Sequence, residues 1–152
     1  MSKVITAPTE FKEYSKSLFI GGGISGCPDW QTEILASLTN LPNITFINPR
    51  RKSFDINDHS IAEEQIRWEY NHLRRASEIL FWFCKETLCP ITLYELGAWS
   101  MTPKNIFVGV DPGYVREQDV IIQTSLIRPN IKVAKSLDEL SHQIKKYYEQ
   151  NH

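Results

Sequence analysis

Glu78-Ile79-Leu80-Phe81-Trp82-Phe83-Cys84 (EILFWFC) sets six apolar side chains in a row behind one glutamate. A strand with one face in water alternates apolar and polar side chains. A run without alternation belongs to a sheet covered on both faces, as parallel sheets are. Working outward, four more short apolar runs stand at intervals: Ser17–Ile20 (SLFI), Ile44–Ile47 (ITFI), Asn105–Val110 (NIFVGV) and Ile131–Ala134 (IKVA). Between them the spacing turns helical. Asp29–Asn40 carries Trp30, Ile34, Leu35 and Leu38 on one stripe, and Pro90–Met101 and a short stretch within Val115–Leu126 read as further helices. Ser60-Ile61-Ala62-Glu63 and Ser136-Leu137-Asp138-Glu139 have the form of capping boxes, opening helices to about Ser77 and about Gln150. Arg50–His59 reads as a polar loop and Asp111-Pro112-Gly113 as a turn. Strands alternating with helices predict an α/β fold: a single flavodoxin-like or Rossmann-like domain over residues 1–152, with a five-stranded parallel sheet and helices on both faces. Residues 1–15 read as a loosely ordered lead-in.

Composition narrows the partners. The chain has 152 residues, with 17 Lys+Arg against 18 Asp+Glu and a net charge of −1. That balance excludes the basic footprint of a nucleic-acid clamp and a polybasic membrane anchor. No apolar run approaches the roughly 20 residues of a membrane span, and Met1–Tyr14 lacks the apolar core of a signal peptide. Cys27, Cys84 and Cys89 are too few and too irregularly spaced for a disulfide framework or a tetrahedral zinc site. The expectation is a cytoplasmic protein with no metal and no cofactor.

Four features could carry chemistry. Gly21-Gly22-Gly23-Ile24-Ser25-Gly26 fits G-x-G-x-x-G between a strand and a helix, but Asn48-Pro49-Arg50 stands where a dinucleotide fold wants an acidic residue. The chain is also too short for the substrate domain of a dehydrogenase. The glycines then predict a backbone that a small ligand approaches closely. Cys27 opens a helix, but Glu33 stands where a cysteine phosphatase keeps its arginine, so Cys27 reads as packed and inert. Glu95 is the only charged side chain from Thr87 to Pro103, on a stripe with Ile91, Ala98 and Trp99, and no cation stands at helical spacing. A lone carboxylate on an apolar face is costly unless paired or strongly hydrogen-bonded, so it marks a site. Gly97 beside it predicts a close helix–sheet approach. Glu69 lies within the stripe Ala62, Ile66, Tyr70, Leu73 and Ala76 and also lacks a cation partner, so an inward and a solvent-facing carboxylate stay equally open. Two inward carboxylates suit glycosidic-bond chemistry, one attacking an anomeric carbon and the other moving the leaving group's proton.

The strings Gln65-Ile66-Arg67-Trp68-Glu69, Phe81-Trp82-Phe83 and Pro90-Ile91-Thr92-Leu93-Tyr94-Glu95-Leu96-Gly97, with the glycine turn, resemble a divergent branch of the nucleoside 2-deoxyribosyltransferases over roughly Leu18 to Val110. The resemblance implies a transferase or hydrolase acting on a nucleoside or its monophosphate, with Glu95 as nucleophile through a covalent sugar ester and Glu69 protonating the base. It implies a substrate site flanked by Gly22, Gly23, Ser25, Asn48, Pro49, Arg50 and Thr92, with Arg50, Arg51 and Lys52 suited to a phosphate. It also implies a homo-oligomer whose subunits complete each other's sites; the Asn-bearing segment that does so in the family has no clear match here, and Asp119 and Gln123 are the candidates for it. Trp99, Tyr147 and Tyr148 are the aromatic surface such an assembly could use. Two positions depart from the pattern: Cys89 stands where the family has an aspartate and Ile91 where it has a glycine. A non-catalytic nucleotide-binding module is therefore the alternative.

Overall fold

A computed structural model describes residues 2–13, 15–52 and 57–151. The elements are β1 (Lys3–Thr6), β2 (Ser17–Gly22), α1 (Trp30–Leu38), β3 (Thr45–Asn48), α2 (His59–Arg75), β4 (Glu78–Phe83), α3 (Pro90–Ser100), β5 (Asn105–Val110), α4 (Glu117–Ile127) and α5 (Leu137–Gln150). The five strands form one parallel sheet in the order β1-β3-β2-β4-β5. β4 is buried along its whole length and pairs on both edges, with β2 and β5. The unalternating apolar run therefore sits where both faces and both edges are covered.

From β2 the chain steps to β3 on one side, then returns past β2 to β4 on the other. Right-handed crossovers running in opposite directions put their helices on opposite faces. α1 packs with α5, while α2 and α3 lie together on the other face. The reversal falls between β2 and β4, and ligands of open α/β sheets enter the crevice beyond the carboxyl ends of the strands at such a point.

The fifth strand is not the one the apolar runs suggest. Ile131–Ala134 contributes one bridge, Ala134 beside Gly109, and the fifth strand is Lys3–Thr6, a mostly exposed edge strand with only two apolar residues. Such a strand has little periodicity to read. Of residues 1–15, Met1 and Tyr14 lie outside the described residues, as do residues 53–56 of the expected Arg50–His59 loop. The first capping box is also displaced: Asp58, not Ser60, caps α2, accepting from the Ser60 amide at 3.0 Å. In the second, Ser136 Oγ accepts from the Glu139 amide at 3.0 Å as expected, while the Glu139 carboxylate accepts from the Lys135 amide, one residue before the cap, at 2.9 Å. No helix of the described residues is long and apolar enough to cross a membrane.

The chain before β2 is fastened to α2. Buried His72 accepts the Phe11 amide on Nε2 at 2.9 Å and pairs through Nδ1 with the Trp68 carbonyl at 2.7 Å. That pattern fixes a neutral ring with its proton on Nδ1. The ring stacks on Trp68 at 4.0 Å between centroids, and Trp68 donates its indole N–H to the Thr9 carbonyl at 3.0 Å. Lys104 Nζ closes the far end of α2 with bonds of 2.8 and 2.6 Å to the Leu73 and Ala76 carbonyls. α2 is thus held at both ends.

Burial is the main cause holding His72 below the ordinary histidine value of 6.5. A folded value below the unfolded one gives stability that is complete above the unfolded value and lost as pH falls through the folded one. His72→Ala should lower the unfolding free energy in urea by about 2–3 kcal/mol near pH 7. The gap between wild type and variant should shrink in acid; a gap of the same size at about pH 4 contradicts the neutral ring.

Candidate active site

α3 turns Thr92, Leu96 and Ser100 inward, and Glu95 stands beside that row, half-buried. On α2 the inward row is Gln65, Trp68, His72 and Leu73, with Glu69 half-buried next to it. The side chains of Glu69 and Glu95 meet across the two helices, close enough that each shifts the titration of the other. The stripe drawn from sequence is corrected here. Ile66 and Tyr70 are 68% and 57% exposed, because α2 buries a polar row, Gln65 and His72, that an apolar template passes over. Ile91 and Ala98 likewise face outward, and only Trp99 of the Glu95 stripe is half-buried. Gly97 is exposed, with nothing within 4 Å of a Cβ placed on it, so it makes no close helix–sheet approach.

Gln65 is the residue that sequence reasoning missed. Its amide nitrogen donates to Glu69 Oε2 at 2.8 Å and to the Pro49 carbonyl at 2.9 Å. Its oxygen accepts from Arg51 Nε at 2.5 Å. Arg51 also donates to Glu64 at 3.2 Å. One buried amide thus orients Glu69 and ties it to the chain after β3.

Burial is the largest cause pushing the Glu95 carboxyl up from 4.5 to about 8, and the Glu69 charge and hydrogen bond beside it add to the effect. Burial also raises Glu69, against the Gln65 amide, the bond to Glu95 and the Arg51 charge, which lower it. Two carboxyl groups in contact cannot both ionise cheaply, so the pair holds one proton at neutral pH.

The remaining expected site residues divide into two groups. Gly22 and Gly23 line the switch point, but protein fills the space beside them. A Cβ on Gly22, which has φ of 155°, lies 2.3 Å from the Trp30 ring and 2.5 Å from the Trp82 carbonyl; one on Gly23 meets the sulfurs of Cys27, Cys89 and Cys84 at 2.4, 2.8 and 3.2 Å. Arg50 donates Nε to Gln31 at 2.8 Å and Nη2 to the carbonyls of Ile24, Cys27 and Pro28 at 3.0–3.1 Å, so it holds the glycine turn in shape. Asn48 is buried and accepts the Arg50 amide at 3.0 Å, and Pro49 is buried over Gln65. Thr92 is buried on α3, and Ser25 is exposed on the turn.

Cys27 is not the inert thiol that its sequence context suggests: it is bonded to Cys84, and Cys89 is a buried free thiol. The three come together because β2 and β4 are neighbours, a fact that linear spacing does not carry. A separate groove of about 370 Å³ runs between α3 and α4, lined among others by Leu96, Val120, Ile127, Arg116, Asp119 and Gln123. Neither glutamate lines it.

A family model described as nucleoside 2-deoxyribosyltransferase like matches residues 15–114. That span includes the glycine turn, both glutamates and β2 through β5. No curated protein matches the chain.

Because the folded Glu95 value lies above the unfolded one, the folded chain keeps a proton that the unfolded chain releases. Stability is then complete below about 4.5 and falls as pH rises toward about 8. Glu95→Gln removes that charge and keeps a hydrogen-bond donor toward Glu69. It should raise the unfolding free energy by on the order of 2 kcal/mol above pH 8 and change it little in acid. Melting curves across pH check this; equal stabilisation at both ends would contradict the shared proton.

Proposed function

The chain belongs to the nucleoside 2-deoxyribosyltransferase-like family, and on that premise we propose that it breaks the N-glycosidic bond of a nucleoside through a covalent sugar ester on Glu95. The observation that carries the reading is the contact between Glu69 and Glu95, two carboxyl groups with one proton between them. The chemistry needs both protonation states at once: a carboxylate to attack and an acid to release the base.

In the free protein the pair shares one proton. A sugar entering beside Glu95 brings developing positive charge at C1′, which favours the ionised nucleophile. A base nitrogen beside Glu69 favours the protonated acid. The contact already joining them is the path by which the proton reaches Glu69. Glu95 Oε then forms the bond to C1′ as the C1′–N bond breaks, and the departing nitrogen takes the proton from Glu69. In the second half, water or an acceptor base attacks C1′, Glu95 leaves as carboxylate, and Glu69 takes the proton released. Two inversions give net retention.

Of the three cations after β3, Lys52 stands exposed and the two arginines are engaged within the protein, which favours a nucleoside over its monophosphate. Arg50 is engaged by the glycine turn and Arg51 by Gln65 and Glu64. The second reading, a non-catalytic nucleotide-binding module, draws support from Cys89 at the family's aspartate position.

Glu95→Gln should lose turnover by at least about a thousandfold while still binding nucleoside, and a 2-fluoro-deoxynucleoside should leave a sugar adduct on wild-type Glu95 by mass spectrometry. Binding without turnover in the wild type establishes the module instead. The pH profile should be bell-shaped. Only the singly protonated pair is competent, so the alkaline limb should fall near 8 and vanish in Glu69→Gln.

We further propose a homo-oligomer built on the faces of α3 and α4. Of the aromatic surface expected, Tyr148 is buried, while Tyr147, packed on Phe107, and Trp99, under Lys104, are half-buried. The exposed apolar side chains stand elsewhere, with Tyr94 79% and Met101 and Leu126 74% exposed. Apolar surface of this kind marks interfaces. Light scattering should give at least twice 17.6 kDa, and Tyr94→Glu should shift the mass toward the monomer. A wild-type monomer at micromolar concentration refutes the assembly.

A further inference from the structure

Sulfur fills the space beside Gly23 beyond the carboxyl ends of β2 and β4. Cys27 leaves the glycine turn after β2, Cys84 follows β4, and Cys89 stands at the start of α3. Their sulfurs all lie within 4.8 Å of one another. Thr87 Oγ1 sits over the triangle, 3.5 Å from Cys27 Sγ, 3.9 Å from Cys84 Sγ and 3.2 Å from Cys89 Sγ. Cys84 Sγ and Cys89 Sγ are 3.8 Å apart. Gly23 closes the other side, where any β-carbon would strike all three sulfurs.

Those lengths match a definite object. A tetrahedral Zn²⁺ with Zn–S of about 2.3 Å and Zn–O of about 2.0 Å sets its sulfurs about 3.8 Å apart and its oxygen about 3.5 Å from each. The Cys84–Cys89 edge meets that requirement, and the three Thr87 edges, 3.2–3.9 Å, straddle it. The remaining demand is that Cys27 and Cys84 be open thiols and not the bonded pair. Their Cα atoms are 6.4 Å apart, and both side chains already point at the same spot.

We propose that the reduced protein binds one thiophilic d¹⁰ cation, Zn²⁺ by class, on Cys27, Cys84 and Cys89 with Thr87 as the fourth ligand. The disulfide and the ion exclude each other. A dithiol reductant delivers two electrons and two protons to the Cys27–Cys84 bond and becomes a disulfide itself, leaving three thiols. Binding of the ion then releases their three protons. Two features of the site favour the thiolates. Cys89 caps the N-terminus of α3, whose peptide dipoles stabilise negative charge there. Arg50 stands on the Cys27 carbonyl at 3.1 Å. The ion pins the glycine turn to the ends of β4 and α3, the three walls of the crevice. None of this depends on the glycosyl-transfer reading, since neither glutamate is a ligand.

The test uses the whole chain, reduced with a phosphine under argon and titrated with Co²⁺ and then Zn²⁺. Expected are tetrahedral d–d and sulfur-to-cobalt charge-transfer bands that saturate at one ion per chain and are bleached by Zn²⁺. Zn²⁺ should also protect all three thiols from maleimide in the folded protein. Cys89→Ser should weaken binding at least tenfold, and the oxidised wild type should show no bands. Octahedral cobalt spectra, substoichiometric bands, or equal binding by the oxidised protein would each overturn the site. Because wild type in two redox states supplies the main contrast, the result stands even if Cys89→Ser fails to fold.

Discussion

β4 must satisfy two neighbours and two faces at once, and the positions of the other elements follow from it. Its backbone is hydrogen-bonded to β2 along one edge and to β5 along the other, so it cannot slip register without breaking both ladders. Every side chain from Glu78 to Phe83 is buried. Even Glu78 is taken up, accepting the Tyr148 hydroxyl of α5 at 2.6 Å and the Ser77 hydroxyl at 3.1 Å. The strand also fixes the two chain ends that matter for chemistry. Its carboxyl end delivers Cys84 and the loop into α3, and its pairing with β2 sets the glycine turn against that loop.

The carboxyl pair is an unfavourable arrangement held in place by favourable ones. Burying two acids side by side raises both values, and nothing in the contact itself repays the desolvation. α2 supplies the support. Asp58 caps its start, Lys104 ties its end to the loop before β5, and His72 with Trp68 locks it to the segment around Phe11. A helix fixed at both ends can carry one strained contact in the middle. This is the pattern expected of a site whose stability is spent on function.

Legibility in the sequence tracked the kind of force involved. The central strands were readable because burial on both faces leaves an unbroken apolar run, as at Glu78–Cys84. β1 was not, because an exposed edge strand needs only backbone pairing, and Lys3–Thr6 carries little hydrophobic signal. Glu95 could be singled out because an isolated charge in seventeen residues of uncharged helix and loop is anomalous in any fold. Glu69 could not be decided from its helix alone. The stripe that seemed to include it was built on Ile66 and Tyr70, which the fold leaves exposed. What turns Glu69 inward is Gln65 and the neighbouring helix, and both are tertiary facts.

The cysteines show the same limit from the other side. Linear spacing is a sound guide to ligand sets when the ligands come from one hairpin or one helix. In a parallel sheet, residues 57 apart in sequence become neighbours because a crossover returns the chain to the same end of the sheet. Cys27 and Cys84 are such a pair, and the left-handed backbone at Cys89, φ 50°, brings in the third sulfur. Cys89 then has its physical partners in Cys27 and Cys84. Cys89 is a buried thiol, and the two sulfurs of the Cys27–Cys84 disulfide stand within reach of it. Cys89 opens α3 without a side-chain bond to the first amides of the helix, the bond an aspartate or serine makes at such a place, and its sulfur turns to Thr87 and Cys84 instead.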